Sequence, residues 1–163
     1  MSRTARIRLP FHESESTMTQ TVEPRIRKIT SRIVTVKVVA GVIRHSGRIL
    51  IAQRSPVDRH PLKWEFPGGK IEAGETPQAC LKRELFEELG IQVKVGALLA
   101  QHLHRNGHCQ IDLTACYARW IAGDLCLKVH AQYRWVTVAA MQKFDFLPAD
   151  LPIIAHLMGL DHR

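Results

Sequence analysis

The chain has 163 residues, 45% hydrophobic and 23% charged, a composition that excludes a disordered polymer and gives one domain enough apolar mass for a core. Twenty-three Lys and Arg against 15 Asp and Glu leave a net charge of +8, which admits nucleic acid, acidic membrane or a nucleotide as partner without choosing among them. No apolar run approaches the ~18 residues of a membrane span and no charged leader with an apolar stretch opens the chain, so a soluble, unsecreted, cytoplasmic protein with no membrane partner is expected.

Residues 1–32 carry Arg3, Arg6, Arg8, Arg25, Arg27, Lys28 and Arg32 among Ser, Thr and few large apolar residues. They read as a basic, flexible N-terminal arm that holds +4 of the surplus charge, and Met18 within it is an alternative first residue. Residues 33–163 form the expected folded domain, with the other +4. The β-branched run at 33–40 predicts a buried strand. A turn at His45-Ser46-Gly47 leads to a second strand at 48–54, and 55–74, rich in Pro and Gly, reads as a loop too long to be idle.

A helix is then announced by Thr76 as N-cap, Pro77 at the first helical position and Gly90 as C-terminal stop. Leu81, Leu85 and Leu89 give it one apolar face. Strands at 91–105 and 110–121 flank Asn106-Gly107, a strong hairpin signal. Short strands at 125–129 and 133–136 follow, and Asp150 is placed to cap a last helix through Leu151, Ile154, Leu157 and Met158. The order predicts an α+β fold, with helices packed on a mixed, partly antiparallel sheet. Cys80, Cys109, Cys116 and Cys126 show no short metal spacing and read as reduced thiols.

Glu84, Glu87 and Glu88 stand at i, i+3 and i+4, so three carboxylates share one turn of the helix, where like charges repel. A solvated acidic face would look the same. A hard divalent cation would reverse the repulsion, and oxygen donors suit Mg²⁺ or Mn²⁺ better than zinc. Arg83 precedes Glu87 by four residues and can hold its carboxylate. Upstream, Trp64-Glu65-Phe66-Pro67-Gly68-Gly69-Lys70 brings an approachable backbone to the helix, with Glu75 beside its start.

Gly69, five residues, Glu75, seven residues, then Arg83-Glu84-Leu85-Phe86-Glu87-Glu88-Leu89-Gly90-Ile91 matches every defined position of Gx5Ex7REUxEExGU. On this motif residues 33–160 resemble the Nudix hydrolase superfamily, and within it the MutT-like nucleoside triphosphate pyrophosphohydrolases of 8-oxo-dGTP diphosphatase type. The resemblance implies an α/β/α sandwich and hydrolysis of a nucleoside diphosphate linked to another group. It implies Glu84, Glu87, Glu88 and the Gly68 carbonyl as metal ligands, Arg83 as their orienting partner and Glu75 as a supporting carboxylate. Glu84 or Glu87 would activate the attacking water. The family often adds a carboxylate from a later loop, but residues 128–135 contain none, which leaves Asp124 or another group open for that role.

The resemblance further places Arg54 and Lys70 on substrate phosphates, and Phe66 and Asp150 at the base pocket, Asp150 having its helix cap as the competing role. His102, His104 and His108 read as strand surface rather than as a zinc site. The expected reaction is Mg²⁺-dependent conversion of a nucleoside triphosphate, 8-oxo-dGTP among the candidates, to the monophosphate and pyrophosphate for nucleotide-pool sanitation. CTP or a modified pyrimidine triphosphate, a dinucleoside polyphosphate or a nucleotide sugar are the alternative substrates. A non-catalytic nucleotide- or RNA-binding module is the reading from another class; for the enzyme no stable nucleic-acid complex is expected.

Overall fold

The computed structural model describes residues 33–161; the predicted N-terminal arm lies outside them. The β-branched opening forms β1 (Val34–His45), followed by β2 (Arg48–Gln53), β3 (Trp64–Glu65), β4 (Gly68–Lys70), helix α1 (Pro77–Leu89), β5 (Gln92–Asn106), β6 (Cys109–Ala122), β7 (Gln132–Val136), a 3₁₀ turn (Ala139–Lys143) and α2 (Leu151–Asp161). The seven strands form one sheet, ordered β3-β2-β1-β6-β5, with β4 also on β1 and β7 on β2. Among the described strands, β1 and β6 run parallel, in ten registered pairs from Val34↔Cys109 to Ile43↔Ala118, and the other strand pairings are antiparallel. The mixed sheet and α+β class therefore stand as predicted.

Period-two alternation along β1 divides the core. Val39 and Ile43 pack with Cys80, Leu81, Leu85 and Leu89 of α1, while Ala40 and Val42 join Ile153, Ile154 and Leu157 of α2. The sheet is thus covered by one helix on each side, the sandwich the resemblance implied. Gly41 lets α1 come close: a Cβ there would stand 3.1 Å from Leu81 Cδ1 and 3.3 Å from the Pro67 carbonyl oxygen.

Two sequence expectations change. Residues 55–74 are not loop throughout, because β3 pairs with β2 and β4 with β1. Residues 125–129 form no strand; the amides of Cys126 and Lys128 donate instead to the Leu89 and Glu88 carbonyls, closing the C-terminal end of α1. Their alternating apolar pattern serves Leu125 and Leu127, which pack on the α1 side of the core. None of the helices among the described residues is long and apolar enough to cross a membrane.

Candidate functional site

Helix α1 is set by the caps its sequence announced. Thr76 Oγ1 accepts from the Ala79 amide at 3.2 Å, and Gly90, at φ 72°, donates its N–H to the Leu85 and Phe86 carbonyls. Burial of Leu81, Leu85 and Leu89 fixes the helix rotation, so the opposite side presents Arg83, Glu84 and Glu87. The Arg83 guanidinium forks onto Glu75 through Nε–Oε1 and Nη2–Oε2, both 2.9 Å, and its Nη1 reaches Glu84 Oε1 at 2.9 Å and Glu87 Oε2 at 3.2 Å. Its hydrogen bonds hold the Glu75 carboxyl down at about 2 and push its own pKa up. One cation thus spans three carboxylates.

Glu88 is the exception on this helix. Arg83 does not reach it, its Oε2 is buried without a partner, and burial raises its pKa to about 7. Strand β4 brings the glycine pair alongside. Gly68 pairs with Ala40 of β1, and a Cβ on Gly68 would run into the Val39 carbonyl oxygen; a Cβ on Gly69 would run into the Glu84 carboxylate. Both positions need a bare backbone. Arg83 fills the space between Glu75, Glu84 and Glu87, and no three His, Cys, Asp or Glu side chains among the described residues stand together as a ready ligand set.

Arg54, expected on phosphate, is engaged by carboxylates: Nη1 meets Glu65 Oε2 at 2.6 Å and Nη2 meets Asp58 Oδ1 at 2.5 Å, with Nε buried and unpartnered. Glu65 also joins His130, whose Nε2 lies 2.9 Å from Glu65 Oε1 and whose side chain is only 4% exposed. This chain of Asp58, Arg54, Glu65 and His130 escaped the sequence reading. Its signal lies in Glu65 of the glycine run and in the single histidine of residues 128–135. Lys70 has an exposed side chain, and its carbonyl accepts from Arg83 Nη2 at 3.4 Å. Asp124 is exposed, beside Gly90 at the far end of α1, and joins none of these contacts.

Phe66 and Asp150 do come together. The Phe66 amide donates to Asp150 Oδ2 at 3.3 Å, and the Phe66 ring lies 5.6 Å from that of Phe146. Asp150 is 4% exposed, and desolvation raises its pKa well above the usual carboxylate range. Its side chain crosses to β3's exit rather than capping α2; its backbone carbonyl receives the Ile153 and Ile154 amides. His102 Nε2 sits 2.6 Å from the Ala149 carbonyl oxygen, tying β5 to the same corner. His102 and His104 are half-buried and His108 is exposed.

With this geometry in hand, the kinship of the chain is clear. The NUDIX domain family profile matches residues 33–157. A CTP pyrophosphohydrolase of Escherichia coli (strain K12) is 35% identical over 125 residues, spanning 77% of this chain and 93% of the relative. A putative 8-oxo-dGTP diphosphatase 2 of Mycobacterium tuberculosis (strain ATCC 25618 / H37Rv) is 39% identical over 123 residues, spanning 74% and 86%. The solution structure of the E. coli ORF135 protein superposes with a TM-score of 0.70 at 33% identity, covering 79% of this chain and 92% of that one. The MutT protein from Methanosarcina mazei Go1 gives 0.69 at 25% identity, covering 79% and 94%. A complete motif mounted on β4 and α1, a profile spanning the folded region and relatives matched over nearly their whole length place this chain in the Nudix hydrolase family.

Proposed function

We propose that the protein is a Mg²⁺-dependent pyrophosphohydrolase that cleaves a nucleoside triphosphate between its α- and β-phosphorus, adding water to give the nucleoside monophosphate and pyrophosphate. The observation that carries this reading is the α1 cluster, in which Glu84 and Glu87 are held by Arg83 while Glu88 keeps a buried, unpartnered oxygen. That orphan, the oxygen-only donor set and the bare Gly69 backbone against Glu84 fit a hard divalent ion. Glu84, Glu87, Glu88 and the Gly68 carbonyl would hold it, with Mn²⁺ as a substitute. When bound, Mg²⁺ neutralises phosphate charge and lowers the pKa of a coordinated water.

The protein's own groups do the rest. Arg83 fixes Glu84 and Glu87 in place, and Glu75 in turn holds the guanidinium by two bonds. Glu84 accepts the proton of the attacking water, with Glu87 as the neighbouring alternative. Lys70, exposed on the glycine strand, meets the polyphosphate; Arg54, its two terminal nitrogens engaged by Asp58 and Glu65 and its Nε without a partner, supports the wall through Glu65 and His130. At the base, Phe66 forms an apolar wall, and buried Asp150, one oxygen taken by the Phe66 amide, offers its carboxyl to the polar edge of the base. The intact acidic set stands against a purely nucleotide- or RNA-binding module. Four free cysteines suit a reducing, cytoplasmic setting.

8-oxo-dGTP is the first substrate to test, for pool sanitation, and CTP the second, favoured by the name of the E. coli relative. A panel of canonical and oxidised nucleoside triphosphates with Mg²⁺ and product identification decides between them. Absence of any nucleoside monophosphate, or an unchanged rate in Glu87→Gln, would end the proposal.

A further inference from the structure

At the end of the sheet away from the glycine strand, the register aligns cations instead of pairing them. Lys94 of β5 lies directly opposite Arg119 of β6. One step beyond the last β1–β6 pair, Ile43↔Ala118, Arg44 of β1 stands beside Arg119. All three side chains are exposed, and among the described residues none makes an ion pair, whereas Arg54, Lys63 and Arg83 all do. Like charges directly opposite across a ladder destabilise it. The row therefore costs the fold something that an anion laid across it would return.

The place is also shaped. Arg44, Arg119, Lys94, Tyr117 and Gly96 line a hollow of about 480 Å³. Arg44 is pre-positioned there, its guanidinium 4.6 Å from the Tyr117 ring centre and its Nη2 3.4 Å from the Tyr117 hydroxyl. On its other side Arg44 shares a second hollow, of about 540 Å³, with His45 and Arg48. Three cations, Lys94, Arg119 and Arg44, thus run across the successive strands β5, β6 and β1. At the usual strand spacing the row is about 10 Å long, about three nucleotide rises along a strand.

We propose that this row binds the phosphate backbone of a single-stranded nucleic acid, outside the catalytic cleft, in a weak contact that salt dissolves. A strand fits where a flat acidic membrane does not: the cations flank concave hollows, and Tyr117 offers an aromatic side chain beside them for a base. The row also accounts for surplus positive charge that the catalytic chemistry does not use, since Arg54 and Arg83 at the glycine-strand end are already matched by carboxylates.

The test is fluorescence anisotropy of the full chain with a labelled single-stranded RNA of about 12 nucleotides bearing a 5′-hydroxyl, in EDTA. Three cations on single-stranded phosphate predict a log–log salt slope near −2, so affinity should fall roughly tenfold to twentyfold from about 50 to about 200 mM KCl. Arg44→Gln/Lys94→Gln/Arg119→Gln should abolish that salt-dependent binding while triphosphate hydrolysis with Mg²⁺ stays at the wild-type rate. Lys94→Gln/Arg119→Gln, two exposed positions, should give an intermediate loss and guards against misfolding of the triple variant. Wild-type binding by either variant overturns the proposal, as does no RNA binding by the native chain, or capture by acidic phospholipid vesicles without RNA binding.

Discussion

The two ends of β1 handle charge in opposite ways. Beside Val38, Val39 and Ala40, where β4 pairs, each arginine is matched within the protein: Arg83 by Glu75, Glu84 and Glu87, and Arg54 by Asp58 and Glu65. Beside Ile43 and Arg44 the cations face each other with no carboxylate between them. The difference teaches how to separate residues that organise a site from residues that await a partner. The first kind lose freedom and exposure to internal ion pairs; the second keep both, and their cost is recovered only on contact.

Substitutions can break this contrast, starting with the largest effect. Glu84→Gln should lower turnover about 10² to 10⁴-fold with the fold intact, as steady-state kinetics and circular dichroism would show, if Glu84 takes the proton of the attacking water. Leu85→Ala acts on stability instead: its side chain is fully buried under the carboxylates, and about 2 to 5 kcal/mol should be lost in denaturant unfolding. Arg83→Lys replaces a fork on three carboxylates with one ammonium and should cost about 10 to 100-fold in activity or metal affinity, read by titration of Mn²⁺.

The mildest prediction concerns pH. Burial lifts the Glu88 pKa to about 7 in the metal-free protein. A carboxyl whose folded pKa is raised stabilises the fold fully below its unfolded value, about 4.5 here, and that contribution is lost as pH rises through about 7. Melting curves of wild type in EDTA should therefore show a decline across this window that Glu88→Gln flattens. Glu75 runs the other way: held at about 2 by Arg83, it contributes above about 4.5 and loses that as pH falls toward 2. At the far end of β1, the triple Gln variant should leave turnover and Mn²⁺ affinity unchanged, which sharpens the contrast from the other side.

Much of this arrangement was legible because its signals are local. Thr76, Pro77 and Gly90 bound α1, Asn106-Gly107 turns β5 into β6, and the motif spacing sets Arg83 against Glu87. What escaped depends on contacts distant in sequence. Strands β3 and β4, of two and three residues, are too short for a periodic pattern and exist because β2 and β1 offer free edges. Residues 125–129 carry a strand-like alternation that the exposed carbonyls ending α1 claimed first. Arg54 was legible as a cation near the site, but its partners Asp58 and Glu65 lie four and eleven residues on, one in a turn and one in a strand, where no local spacing rule pairs them. Asp150 likewise had an N-cap signal that a long-range bond to Phe66 overrode.

The parallel ladder between β1 and β6 has a consequence for synthesis. β1 emerges first, yet its longest pairing, Val34–Ile43 with Cys109–Ala118, forms only once the chain has passed through the whole catalytic motif. Pairings of such sequence separation close slowly because loop entropy is spent before contact energy returns. β4 hangs on the edge of β1 opposite β6, so the glycines that receive Glu84 have no firm support until the second half of the chain is made. A nascent chain ending before β6 should carry every motif residue and yet bind no metal.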